Sequence, residues 1–130
     1  MKMGWQLLLL MIVIIVMGGC GNVITEDQLI GGTWLVTNGY EDGEIGGDPV
    51  CPSFDGGLEF IDEEKVYVID EEKEFVYRLR ESDEGGMRIE FYNPNGEVDF
   101  YTITMENENG FGINGAGMIK TLNCYFEREE

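Results

Sequence analysis

Beyond residue 30 this chain never sustains the helical spacing of apolar residues. Short runs of β-branched and aromatic residues are cut repeatedly by Gly, Asn, Asp and Pro, and a chain so punctuated has room for strands and little else. Thr33–Thr37 opens the series with Trp34, Leu35 and Val36, which suit a half-buried pleated surface. After a Gly- and Asp-rich stretch read as a long loop, Asn38–Gly56, come Leu58–Ile61 and Lys65–Ile69, separated by the turn Asp62-Glu63-Glu64. Phe75–Arg80 alternates, with Phe75, Tyr77 and Leu79 on one face, and ends at Ser82–Gly86; Met87–Phe91 alternates again before the turn Asn93-Pro94-Asn95-Gly96. In Val98–Met105 the alternation changes phase between Phe100 and Tyr101, where a bulge is expected. Phe111–Ile113 and Met118–Arg128 complete the set, the last with Leu122, Cys124 and Phe126 on one face.

Eight strands joined mostly by tight turns, with no helical crossover, make an antiparallel meander. In about 100 residues such a meander predicts an all-β, up-and-down eight-stranded barrel, because closure removes the two edges an open sheet would expose. A two-sheet β-sandwich is the alternative.

The first residues read differently. Lys2 precedes an unbroken apolar run, Leu7–Met17, and Gly18-Gly19-Cys20 follows. A positive start, a short apolar segment and small residues before a cut are the parts of an export signal. Eleven residues of helix span about 16 Å, well short of a hydrocarbon core of about 30 Å.

Met17-Gly18-Gly19-Cys20 resembles the lipobox of bacterial lipoproteins. That resemblance implies a signal peptide over 1–19 and a thiol at Cys20 that receives a diacylglycerol and becomes the new N-terminus. It implies a tether over 20–29, a barrel domain over 30–130, and a protein held on a cell-envelope membrane. More than one acyl chain gives firm anchoring, at about 0.8 kcal/mol per buried CH₂. With Cys20 lipidated, Cys51 and Cys124 remain, either as a disulfide, which an exported compartment permits, or as two free thiols.

Gly32-Thr33-Trp34 resembles the Gly-x-Trp signature that opens the first strand of lipocalins. The larger pattern is similar to the short lipocalin-like domains carried by bacterial lipoproteins, and the likeness covers most of residues 29–128. It implies that Trp34, beside Gly32, plugs the closed end of the barrel and that Arg128 packs across its ring as a cation–π pair. It also implies a small apolar ligand in the mouth. The chain lacks the C-terminal helix of full-length lipocalins, and a small barrel can equally be filled by its own side chains. A solid barrel predicts that Trp34, Phe60, Phe75, Tyr77, Ile89, Phe91 and Phe126 interlock and that the module meets its partners through loops.

Charge narrows the partners. Against 26 Asp and Glu stand 8 Lys and Arg, a net −18, with no His. Nucleic acid is not expected as a partner. A basic exported protein fits the charge, and so does a merely solvated surface in a saline habitat. No enzymatic activity is expected, because Ser53 and Ser82 have no His base and no nucleophile elbow, phosphate loop or dinucleotide fingerprint is present. No metal and no cofactor are expected: the cysteines are not paired at ligand spacing, and Glu41, Asp42, Glu44, Asp48 and Asp55 read as a solvated loop before they read as a Ca²⁺ site.

On either view of the interior Trp34 is core. Trp34→Ala is expected to lower unfolding free energy by about 3–5 kcal/mol, read from a urea transition.

Overall fold

The computed structural model describes residues 23–83, 85–116 and 121–129. The leader, the lipobox with Cys20, and residues 117–120, where the last strand is expected to begin, lie outside that set. Among the described residues, nine strands follow a single 3-10 turn, Glu26–Gln28: β1 Trp34–Glu41, β2 Glu44–Gly47, β3 Leu58–Phe60, β4 Lys65–Val68, β5 Lys73–Glu81, β6 Met87–Tyr92, β7 Val98–Asn107, β8 Gly110–Ala116 and β9 Thr121–Arg128. All pairings between them are antiparallel. From β3 to β9 each strand pairs with the next, and β1 pairs with both β3 and β9, so eight strands close into an up-and-down barrel. The ninth, β2, is an extra strand hydrogen-bonded to β1 alone.

Two details correct the sequence reading. The segment 38–56 is not one long loop. β1 runs on through Asn38–Glu41 and turns at Asp42-Gly43 into β2, with Tyr40 opposite Ile45 and Glu41 opposite Glu44. Gly46 and Gly47 hide this strand from any test based on β-propensity. Nor is there a bulge at Phe100–Tyr101: β6 and β7 keep continuous register from Met87↔Ile103 to Tyr92↔Val98. Phe100 simply faces outward, 42% exposed, with the Arg88 guanidinium 5.0 Å from its ring centre. An outward aromatic under a cation imitates a phase change in the sequence. The irregularity in β7 comes later, between Met105 and Asn107.

Inward positions follow strand parity. Val66 and Val68, Tyr77, Met87, Ile89 and Phe91, Tyr101 and Ile103, Phe111 and Ile113, and Leu122, Cys124 and Phe126 are all buried. The lower half of the barrel is filled by rings. Phe111 sits 4.6 Å from Trp34, 6.1 Å from Phe60 and 5.0 Å from Phe126, while Phe60 meets Tyr77 at 4.9 Å, mostly edge-to-face. Phe111, which propensity marks only as a member of a three-residue strand, is the centre of this layer.

Glu90 is buried on the outer wall. Arg80 Nε, Arg88 Nη2 and the Tyr92 hydroxyl each donate to its carboxylate at 2.8 Å. Burial by itself raises this carboxyl's pKa, but the bonds from Tyr92 and Arg80 and the charges of Arg80 and Arg88 outweigh it and hold it below the usual range.

Asn123 repairs the place where β1 leaves β9 for β2. Its Oδ1 accepts from the Tyr40 N–H at 2.7 Å and its Nδ2 donates to the Tyr40 carbonyl at 2.9 Å, as a neighbouring peptide group would. Its backbone meanwhile exchanges both hydrogen bonds with Val50, at 3.0 and 2.8 Å. Beside this seam the Tyr40 ring covers Gly112 so closely that a Cβ there would overlap it. Asn123→Ala is expected to cost about 1–3 kcal/mol, because two backbone groups of Tyr40 lose their partners. A urea midpoint unchanged from the parent would refute that role.

Candidate functional site at the barrel mouth

The two ends of the barrel differ. At one end the chain entering β1 folds under the strands. Ile24 and Leu29, in the stretch the sequence assigns to a tether, are buried against the core. Gly32 has φ +74°, and the point where a Cβ would sit is 3.4 Å from Arg128 Cγ, so glycine suits this step both conformationally and sterically. Trp34 is fully buried and its Nε1 donates to the Leu29 carbonyl at 2.8 Å. Trp34 and Arg128 are register partners across β1 and β9. The Arg128 guanidinium carbon lies 4.4 Å from the indole centre, and Nη2 donates to the Gln28 carbonyl at 2.7 Å. Gly32, Trp34 and Arg128 thus stand together, and this end is sealed.

The opposite end holds the hollow. Loop residues 48–57 arch over it, fixed by the Val50–Asn123 bridge and by a disulfide between Cys51 and Cys124, whose Cα atoms are 5.6 Å apart. Cys51 lies in the loop after the first hairpin and Cys124 on the last strand, so the bond ties the lid to the wall. A cross-link over 73 residues of sequence contributes about 4 kcal/mol in the chain-entropy picture. Next to Cys51, Phe54 turns inward and is buried, 5.1 Å from Phe91. A lone aromatic between Cys51 and Gly56-Gly57 was the available signal for this residue, and strand periodicity passes over it.

Beneath the loop a cavity of about 180 Å³ opens to solvent. Its floor and walls are the rings of Phe54, Phe75, Phe91 and Tyr101. Three carboxylates also line it: Glu71 from the β4–β5 turn, Glu97 from the β6–β7 turn, and Asp99. Asp99 shares inward parity with Tyr101 on β7 and stands opposite Phe91 on β6. The Tyr101 hydroxyl donates to Asp99 Oδ2. Of the rings expected to interlock, Trp34, Phe60, Tyr77 and Phe126 fill the sealed half, whereas Phe75 and Phe91 border the cavity. A larger hollow of about 490 Å³ lies between Val23–Ile24 and Thr102–Met105.

Among the described residues no group of three or more His, Cys, Asp or Glu is gathered to hold a metal ion. Glu41, Asp42 and Glu44 belong to the tip of the β1–β2 hairpin. Among the described residues no helix is long and apolar enough to cross a membrane. No protein-family model, curated protein or solved structure matches this chain.

Burial, and after it the hydrogen bond to Asp99, pushes the Tyr101 phenol well above its ordinary value. Burial does the same to Tyr77, helped by the charges of Glu26 and Asp62, and to Tyr40, helped by its bond to Glu106. A raised pKa in the fold means that the native state keeps protons the unfolded chain has lost. Stability is therefore expected to hold up to about pH 10 and to fall above it, by up to about 1 kcal/mol per pH unit for each such tyrosine. Urea midpoints across that range, compared with Tyr101→Phe, test this: the variant should have the shallower decline.

Proposed function

We propose that this protein is an exported lipoprotein, held on a bacterial cell-envelope membrane by lipid on Cys20, whose lipocalin-like barrel binds one small molecule in its mouth without chemical change. The observation that carries the binding part is the ring-lined cavity under a loop stapled to the wall. Its volume of about 180 Å³ is below the range usual for drug-sized ligands but above the roughly 150 Å³ that accommodates benzene in an engineered cavity. The ligand has the bulk of a single ring, not of a fatty acid or a tetrapyrrole.

The anchoring part rests on the leader and on where the fold begins. Val23 is three residues after Cys20, and Ile24 already packs on the core. Three residues reach about 11 Å at most. A lipid on Cys20 therefore keeps the sealed end near the bilayer, and the mouth, at the other end of the strands, points away from it.

The second reading, a solid-barrel module that meets a basic envelope protein through its acidic loops, is favoured by the rings that fill the lower half. Native mass spectrometry of the processed protein, released gently in mild detergent, separates the two. An adduct lost on denaturation supports the binding barrel. A bare, lipidated polypeptide that captures a basic partner in a salt-sensitive manner supports the module. The anchor has its own readout: Cys20→Ser is expected to move the protein out of the membrane fraction, and an unlipidated Cys20 in the parent would end the lipoprotein reading.

A further inference from the structure

We infer that the mouth selects a small organic cation, an ammonium group on an apolar body of one-ring size. This inference rests on the mouth being a binding site, as proposed above, and adds the chemical class of its ligand.

The cavity joins two features that each favour a cation. Four rings supply faces with negative quadrupoles, and three carboxylates, Glu71, Glu97 and Asp99, supply formal charge at the same opening. No described Lys or Arg lines it. Lys73 shares the strand parity of Phe75 and Tyr77 but stands exposed at the start of β5. Asp99 is the best placed of the carboxylates. It points inward beside Tyr101, which donates a hydrogen bond to it, and it faces Phe91 across the β6–β7 ladder. A cation entering between them meets a ring and a carboxylate whose positions the fold has already set, so little ordering remains to oppose binding. An anion of the same shape would enter against three negative charges and the field of a chain with net −18. A neutral molecule would gain contact with the rings only. The expectation of a purely apolar ligand comes from family likeness; the carboxylates are this chain's own.

Three probes of one shape test the class: benzylammonium, benzyl alcohol and benzoate, titrated calorimetrically into the processed, disulfide-bonded protein in mild detergent. Benzylammonium is expected to bind at least about tenfold tighter than benzyl alcohol, with benzoate showing no heat of binding. Raising the salt should weaken the ammonium alone. Asp99→Asn should cut benzylammonium affinity about tenfold and weaken benzyl alcohol far less. Glu97→Gln, at the exposed rim, provides a second variant that does not touch the Tyr101 bond, and Lys73→Gln should strengthen the ammonium. Equal affinity for the alcohol and the ammonium would overturn the cation class while leaving a binding mouth intact. Failure of all three probes would overturn the class and the binding mouth together, without bearing on the lipid at Cys20.

Discussion

β1 and β9 meet in a ladder that runs from Trp34↔Arg128 to Asn38↔Tyr125, and this ladder turns an open eight-stranded meander into a barrel. Without it both strands would present unpaired N–H and C=O groups, and the inward faces of β8 and β9 would lose the opposite wall. One contact at its lower end fixes the position: the Arg128 side chain lies over the Trp34 ring and reaches the Gln28 carbonyl, while the indole N–H holds the Leu29 carbonyl. The stretch entering β1 and the end of β9 thereby share one hydrogen-bonded knot. The β1–β3 side of the closure is narrow, a single register pair, Trp34↔Leu58. Trp34 thus sits in both seams of β1.

At the other end the same strand has to leave the barrel, and the fold compensates. β1 continues into the hairpin with β2, the Asn123 side chain pairs with Tyr40 as a peptide would, and Val50 takes the free position on β9. The disulfide then fixes the returning loop. The consequence is a sealed, ring-filled base and a mouth whose lid is fastened at two points. Rigid walls around a small hollow favour selectivity for shape and charge over capacity.

The acidity of the chain is also unevenly spent. Lys65, Arg78, Arg80 and Arg88 all project from the outer wall of β4–β6, half of the 8 cations in the chain, and Glu90 is buried among two of them. Arg78 covers Tyr92 at 5.4 Å and Arg88 covers Phe100 at 5.0 Å. These cations shield rings and neutralise one desolvated carboxylate, leaving the mouth carboxylates to set the field there. Composition gives the net charge, and only register shows where the opposite charges meet.

Alternation and turn chemistry alone determined the strand inventory of the barrel. An inward face must be apolar at every second residue, and a hairpin must carry Gly, Asn or Asp, so seven of the eight barrel strands are written locally from Leu58 to Arg128 and the eighth starts at Trp34. The sequence could not show β2, whose glycines carry no side chain to pattern, nor tell an outward Phe100 from a bulge, because both break alternation alike. It could not rank Phe111 as the centre of the core or send Phe54 into the mouth, since each depends on rings brought from distant strands. The tertiary structure decided between the disulfide and the free thiols that cysteine arithmetic leaves for Cys51 and Cys124, and it alone decided that Asn123 stands in for a missing strand and that Asp99 and four rings border one cavity. Those are long-range coincidences of position, fixed by closure of the sheet, and no local rule contains them.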